Sequence, residues 1–332
     1  MTTRYEETVL APNLTLRSVK WSEIKAIAQL IMDVCIVDGD PTVASTEDDI
    51  KRFWTMSDVN IETDVWVVET RDGKIVGYQE FYNKHAHAAM NGDGYVHPDY
   101  HGLGIGTVML RTLENRARQE MKLAEPDVRV YIRNGIAGTD TAAGQLHENE
   151  GYKPIRYSWH MEIELPDTPQ VPSLPDGIEL RPFILEEHNR AVYEAHEEAF
   201  SDHWGHVRGS FEDWNHHMIE REDLDPSLWF IAWDVRSAQI AGYSLCRYRM
   251  ESGWVGSLGV RRPWRKRGLG EALLFHSFGE FYKCGTKTVG LGVDAQNPTG
   301  ATRLYQKAGM HVAAEFVTYE KELRAGREPV EE

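Results

Sequence analysis

Apolar residues recur along this chain with a period near two in some stretches and near 3.6 in others, and the two kinds of stretch alternate in the same order twice. In the first half, residues 14–19 read as a strand, and residues 22–34 and 46–53 carry the apolar stripes of amphipathic helices. Strands at 64–70 and 74–82 flank Arg71-Asp72-Gly73, a hairpin turn signal. A third strand at 94–96 runs into a glycine-rich loop. A helix at 107–122, a strand at 128–132, a short helix and a last strand at 159–165 follow. The second half repeats the series with a strand at 178–182, helices at 187–200 and 211–219, and strands at 228–234 and 239–248 around the turn 235–238. A strand at 254–260 enters a second glycine loop, then come a helix at 271–283, a strand at 288–293, a short helix and a last strand. This order predicts an α/β fold with a mixed sheet in each half.

The halves are joined by a proline-rich stretch, Pro166, Pro169, Pro172 and Pro175, the composition of a stiff extended linker. The expected division is a first domain over 1–165, a linker over 166–177 and a second domain over 178–325. Self-similarity supports it. Val96 and the loop His101-Gly102-Leu103-Gly104-Ile105-Gly106 correspond to Val260 and Arg265-Lys266-Arg267-Gly268-Leu269-Gly270 at an offset of 164 residues. Farther on, Ala143 to Tyr152 corresponds to Ala301 to Met310 at an offset of 158 residues. The chain is an internal duplication of one domain.

Composition narrows the function. The 332 residues carry 36 Lys and Arg against 52 Asp and Glu, a net charge of −16, and are 41% hydrophobic, as in ordinary water-soluble globular proteins. Acidity on this scale repels nucleic-acid phosphates and anionic lipid, so an anionic ligand has to be held by a local basic or backbone site. Neither an apolar run of membrane-spanning length nor a basic-then-apolar leader is present, which predicts a cytoplasmic protein. Cys35, Cys246 and Cys284 lack metal or disulfide spacing and read as small hydrophobes. The charged tail 324–332 reads as frayed.

The second glycine loop is a candidate anion site. Leu258-Gly259-Val260 is strand, Arg265 to Gly270 is basic and glycine-rich, and Glu271 opens a helix. Such a turn presents unpaired backbone N–H groups and a helix dipole to a diphosphate. The spacing is neither that of a Walker loop nor that of a dinucleotide-binding fingerprint. A second motif runs from Val293 through Asn297, Ala301, Leu304, Tyr305 and Gly309 to Met310. Together the two resemble the GCN5-related N-acetyltransferase (GNAT) superfamily. That superfamily carries a Q/R-x-x-G-x-G/A loop, matched by Arg265, Gly268 and Gly270, and a later Leu-Tyr motif in which Met310 replaces the usual Phe. The resemblance covers each half nearly end to end and implies two tandem GNAT-like domains. Each would be a mixed, mostly antiparallel sheet splayed at the cofactor site and flanked by helices. The layout is similar to that of mycothiol synthase.

By this resemblance the cosubstrate is acetyl-CoA, with no metal. Arg265, Lys266, Arg267, Gly268, Leu269, Gly270 and Glu271 would hold its pyrophosphate, Leu258, Gly259 and Val260 would pair with its pantetheine arm, and Asn297 and Ala301 belong to the same site. The implied reaction is direct attack of a primary amine of a small molecule on the thioester. Tyr305 would be the acid for the departing thiolate, and a backbone N–H near Leu258 to Val260 would hold the oxyanion. The strand before the loop, Trp254 to Gly259, contains no carboxylate or histidine to act as base. Glu251, His203 and His206 are the available titratable groups, acting directly or through water. Trp204, His206, His203 and Trp254 would shape the acceptor groove, although Trp204 and Trp214 could instead staple helices to the sheet. The histidines near them lack metal-ligand spacing.

In the first half, Val96, Gly102, Gly104 and Gly106 keep the loop, whereas His101 takes the Arg position and His147 the Tyr position. Backbone phosphate binding survives such changes and phenol catalysis does not. Residues 1–165 thus read as a catalytically silent copy that either binds CoA or serves only as scaffold. A different class of function, a non-catalytic CoA-binding or regulatory module, stays open. A nucleic-acid binder is excluded by the acidity, and no membrane partner is implied.

Overall fold

The computed structural model describes residues 10–329. In chain order the first copy contains Leu14–Ser18 (β1), Ile24–Asp38 (α1), Glu47–Trp54 (α2), the single turn Ile61–Asp64 (α3), Val65–Thr70 (β2) and Ile75–His85 (β3). It continues with Ala89–Val96 (β4), Ile105–Glu120 (α4), Val130–Ala137 (β5), Thr141–Asn149 (α5) and Lys153–Glu164 (β6). The second copy contains Ile178–Pro182 (β7), Leu185–Phe200 (α6), Phe211–Trp214 (α7), Trp229–Asp234 (β8), Gln239–Arg249 (β9) and Ser252–Val260 (β10). Leu269–Lys283 (α8), Thr288–Asp294 (β11), Ala301–Lys307 (α9) and His311–Arg324 (β12) complete it. No helix among the described residues is long and apolar enough to cross a membrane.

Local chemistry explains most boundaries. Thr46 and Asp49 form a reciprocal capping box at the start of α2, and Gly39, at a φ of 96°, ends α1 in a left-handed turn. Departures from the sequence expectation are confined to places where neighbours override propensity. β4 begins at Ala89 rather than at 94, because β3 supplies ladder partners through Asn91-Gly92-Asp93-Gly94, a run that otherwise reads as turn, and β5 supplies them on the other side as far as Gly92. The expected helix at 211–219 becomes α7 followed by a wider π turn, Asn215–Ile219. There Asn189 of α6 accepts from the Trp214 indole at 2.8 Å and donates to Asn215 at 2.7 Å.

Two compact units result. Among the described residues, one comprises 10–156 together with 316–329, the other Tyr157 to Glu315. In the first, the strand order is β1-β2-β3-β4-β5-β12, antiparallel throughout except for β4 with β5. In the second it is β7-β8-β9-β10-β11-β6, antiparallel except for β10 with β11. The compact units therefore differ from the two sequence copies by an exchange of last strands. Residues 158–164 lie along β11, Ser158 opposite Asp294 and Glu164 opposite Thr288, while Phe316 to Arg324 lie along β5. Each sheet is covered on both faces. In the first unit α1 and α2 bury Ile27, Ile31, Ile50 and Trp54 on one side, and α4 buries Leu110, Leu113 and Ala117 on the other. In the second unit α6 contributes Val192 and Ala195, α8 contributes Leu274, Phe278 and Phe281, and the exchanged β6 adds Met161.

The tail is not frayed as far as it is described. The Arg327 N–H donates to Asp127 at 2.9 Å, the Arg129 N–H donates to Arg327 at 2.7 Å, and the Arg324 guanidinium reaches the Val128 carbonyl at 3.0 Å. Residues 330–332 lie outside the described residues.

The exchange predicts how the chain responds to cutting. A chain nicked within the 166–177 linker should elute from gel filtration as one undissociated particle, because each fragment carries a strand of the other's sheet. Residues 178–332 expressed alone leave β11 with an open edge and should be insoluble. Separation of the nicked fragments without denaturant would contradict the exchange.

Candidate active site

The parallel pair in the second unit comes apart. β10 and β11 pair only at Gly253 with Val289 and Trp254 with Gly290, yet β10 runs on to Val260 and β11 to Asp294. The register of β10 against β9 skips Gly256, between Val255 and Ser257, and a bulge of this kind bends and twists the strand away. Past Trp254, the β11-facing backbone of β10, which includes Leu258, Gly259 and Val260, has no strand partner among the described residues. Unpaired backbone groups of this kind are a ready template for an extended ligand with amides of its own. Gly259 is required in its place, since a Cβ there would overlap the Tyr243 ring. In the first unit β4 and β5 pair from Ala89 with Tyr131 to Gly92 with Asn134 and then diverge, leaving Val96 at the end of a similar opening.

The loop beyond β10 is a backbone nest. Lys266 and Gly268 hold left-handed φ values of 61° and 81°, and α8 starts directly after. Gly102 and Gly104 repeat this at 76° and 79° before α4. Successive N–H groups in this conformation, capped by a helix N-terminus, converge on an anion. The Arg265 side chain is a brace. It donates to the Val260 carbonyl at 3.0 Å, to the Ala199 carbonyl at 3.0 Å and to Asp202 at 2.9 Å. Arg262, and then Arg265, pull the Asp202 carboxyl down to about 2. His101 braces the first loop in the same way, its Nε2 lying 3.1 Å from the Val96 carbonyl. Lys266 and Arg267 remain exposed. Leu269 is buried under the helix start, and Gly270 lets α8 approach α9, its Cβ position lying 3.5 Å from Leu304. Gly106 plays the same part against Leu146. The Glu271 carboxylate accepts from Lys307 at 3.0 Å, tying α8 to α9.

Tyr305 lies on α9, buried, and its hydroxyl makes no hydrogen bond among the described residues. Burial pushes the phenol up to about 12, so it holds its proton at neutral pH. Ala301 opens the same helix. Asn297 stabilises the preceding turn by accepting from the Thr299 N–H at 2.8 Å, ahead of Gly300 at a φ of 83°. In the first unit His147 is buried with both ring nitrogens engaged, 2.9 Å from the Asn134 amide and 2.8 Å from the Ala143 carbonyl.

On the face toward α6 the structure separates the sequence candidates. His203 packs on Phe200 at 4.3 Å between ring centres, and burial lowers its pKa. His206 Nε2 lies 3.1 Å from the buried Glu197 carboxylate, whose pKa burial raises. Trp204 is 41% exposed. Trp254 is buried at the last paired rung, against His160 at 4.9 Å and beneath the Arg249 guanidinium at 4.3 Å, its ring 3.0 Å from where a Cβ on Gly290 would stand. Glu251 is not brought to the opening. It is exposed at the β9–β10 hairpin tip beside Met250, and Leu258 lies seven residues further along the strand, roughly 20 Å at strand rise.

A histidine that sequence reasoning missed packs against β10 beside the bulge. His196 of α6 has Nδ1 3.0 Å from the Tyr243 hydroxyl and 3.3 Å from the Ser257 hydroxyl, and Ser257 is on β10 next to the bulge. Burial, with His206 and His203 adding, pushes its imidazole down to about 4. The available signal was a histidine on the same helical stripe as the buried Val192 and Ala199.

A sheet opened at its parallel pair, with a backbone nest at the mouth and helices on both faces, defines an acyl-CoA-dependent transferase architecture, present here twice. Comparison with known proteins agrees. Residues 62–154 match the model described as Acetyltransferase (GNAT) domain, and residues 186–310 the model described as Acetyltransferase (GNAT) family. The chain is similar to the mycothiol acetyltransferase of Mycolicibacterium vanbaalenii, 27% identical over 91% of this chain and 97% of that protein. It is 30% identical to that of Streptomyces scabiei over 75% of each. Among solved structures, a GCN5-related N-acetyltransferase from Sphaerobacter thermophilus superposes with a TM-score of 0.79 at 35% identity, covering 97% of this chain and 99% of that one. A tandem GNAT protein from the clavulanic acid biosynthesis pathway shares the fold, with a TM-score of 0.72 at 16% identity over 94% of this chain and 99% of that one. The chain belongs to the GNAT family and is an N-acetyltransferase with two tandem GNAT domains.

The buried imidazole predicts a pH signature. His196 titrates near 4 when folded and near the ordinary 6.5 when unfolded. Between those values the unfolded chain binds a proton that the folded one does not, so His196 lowers stability as pH falls from about 6.5 to about 4, by at most about 3 kcal/mol. NMR of the His196 ring protons should show no titration above pH 5. Urea midpoints of His196→Gln should fall less steeply with acid than those of the parent.

Proposed function

We propose that the second unit transfers the acetyl group of acetyl-CoA to the primary amine of a small molecule by direct attack. The observation that carries this reading is the opened β10–β11 pair, with the left-handed nest at its mouth and the protonated, buried Tyr305 on α9. In this reading the N–H groups of the Arg265 to Gly270 loop hold the diphosphate, and Leu258 and Val260 pair with the pantetheine amides. A backbone N–H next to the Gly256 bulge faces the thioester oxygen, where a fixed donor stabilises charge as it develops. Tyr305 protonates the departing thiolate, a role that requires the neutral phenol its burial maintains. His203, His206, Trp204 and Trp254 border the acceptor side.

The first unit serves as scaffold in this reading. Both nitrogens of His147 are engaged, so it offers no acid. Thr139 Oγ1 donates to the Asp38 carbonyl at 2.7 Å, tying the end of α1 to the loop after β5. Burial, then Asp140, pushes the Asp38 carboxyl up to about 6, with His101 the opposing charge. Carboxylates gathered beside His101 disfavour a diphosphate at that nest. A narrower second reading takes the acceptor to be the one for which the mycothiol acetyltransferases are named. It is favoured by the match along 97% of the Mycolicibacterium vanbaalenii protein.

Calorimetry with acetyl-CoA should count one site per chain, abolished by Gly268→Trp and kept by Gly104→Trp. Tyr305→Phe should slow CoA release about 10²-fold while leaving acetyl-CoA affinity unchanged. Tight binding with no turnover in the parent would favour the regulatory module, and no binding at all would remove the acetyltransferase reading of this site.

A further inference from the structure

We propose that Ser257 and His196 form the proton relay that deprotonates the acceptor amine, Ser257 receiving the proton at the opening and His196 Nδ1 accepting it from Ser257. This rests on the acetyl-transfer reading above and extends it to the one role that reading leaves unfilled. Ser257 is the residue after the Gly256 bulge and the one before Leu258, so it stands where β10 turns away from β11. It faces α6, since its hydroxyl reaches His196 at 3.3 Å. The Tyr243 hydroxyl, from β9, reaches the same nitrogen at 3.0 Å. With the hydrogen on Nε2, the single Nδ1 lone pair accepts from one of these hydroxyls, and the Ser257 and Tyr243 hydroxyls bond each other, so the three groups form one hydrogen-bonded chain. Packing fixes the ring in that pose, stacked on Phe200 at 4.5 Å and against Trp214 at 5.1 Å.

The groups facing this imidazole are Tyr243 from β9, Ser257 from β10, Trp214 from α7, and His203 and His206 from the loop after α6, with Glu197 paired to His206. Burial and the two neighbouring histidines hold it neutral through the physiological range and also weaken it as a base, so in the relay it passes the proton on rather than keeping it. The step balances. The amine lone pair forms the C–N bond as the carbonyl pair moves to oxygen. The amine proton passes to Ser257 Oγ while the hydroxyl proton of Ser257 passes to Nδ1. Re-formation of the carbonyl breaks the C–S bond with the electron pair on sulfur, and Tyr305 supplies that sulfur with a proton. His196 then releases a proton to solvent and Tyr305 regains one.

The test follows CoA thiol release from acetyl-CoA by the full chain, with glycinamide as acceptor probe and with water alone, alongside calorimetric acetyl-CoA affinity. His196→Gln and Ser257→Ala should each lower the rate by about 10²–10⁴-fold with affinity unchanged. Imidazole added to His196→Gly should restore part of the rate. The relay is overturned by unchanged rates in both variants, by loss of rate that merely tracks loss of affinity without imidazole rescue, or by an acetyl group trapped on Ser257. If the parent releases no CoA above buffer with either acceptor, the acetyl-transfer reading itself fails and the relay with it.

Discussion

The structure depends on one interrupted ladder. In a sheet every backbone N–H and C=O on an inner strand is satisfied by its neighbours, and leaving them unpaired away from water is costly. Here the parallel pairing of β10 with β11 stops after two rungs, because Gly256 bulges out of register and turns the strand. The remaining edge is open to another partner, and in the proposed function a pantetheine arm with its own amides would supply the same hydrogen-bond pattern. The neighbouring features follow from holding that edge open. Tyr243 requires Gly259 to lack a side chain, Trp254 covers Gly290 at the last rung, and Arg265 ties the strand end to α6.

Comparison of the copies shows which parts of this arrangement are backbone and which are chemistry. Both loops use left-handed residues at the same two positions, and a glycine at one of them in the first copy becomes Lys266 in the second. Both are braced by a side chain to the carbonyl at the strand end, by histidine in one and arginine in the other. The chemistry has diverged. Where the second copy has a phenol free of hydrogen bonds among the described residues, the first has an imidazole bound on both sides. Where the second has Ser257, the first has Asp93, which accepts from Tyr95 at 2.8 Å and faces Glu80 across the strand pair. Duplication preserved the frame, and each copy filled it differently.

The exchange of last strands makes the copies interdependent in a way that duplication alone does not require. β6 completes the sheet beside β11 and supplies Met161 to that unit's core and His160 to the wall behind Trp254. β12 does the same beside β5, adding Tyr319 next to His147. Each copy thus supports the other, since the last strand of the first forms part of the second unit and the last strand of the second forms part of the first.

What the sequence determined by itself was whatever depends on neighbours along the chain. Left-handed turns ask for glycine, helix starts ask for particular caps, and helices and strands announce themselves by period, so the element order, the duplication, the glycine loops and the register of Tyr305 were all legible. What only the tertiary structure decided was whatever depends on partners far apart in the chain. Strand pairing sent the last strands across, because antiparallel register is set by which edges meet and not by the strand's own residues. Strand length placed Glu251 at a hairpin tip remote from the opening. Packing of α6 on the sheet set His196 against Ser257, 61 residues away, where burial lowers the pKa of its imidazole. The desolvation and hydrogen bonds that give these side chains their chemistry arise only when the sheet and helix close on one another, and no local pattern encodes them.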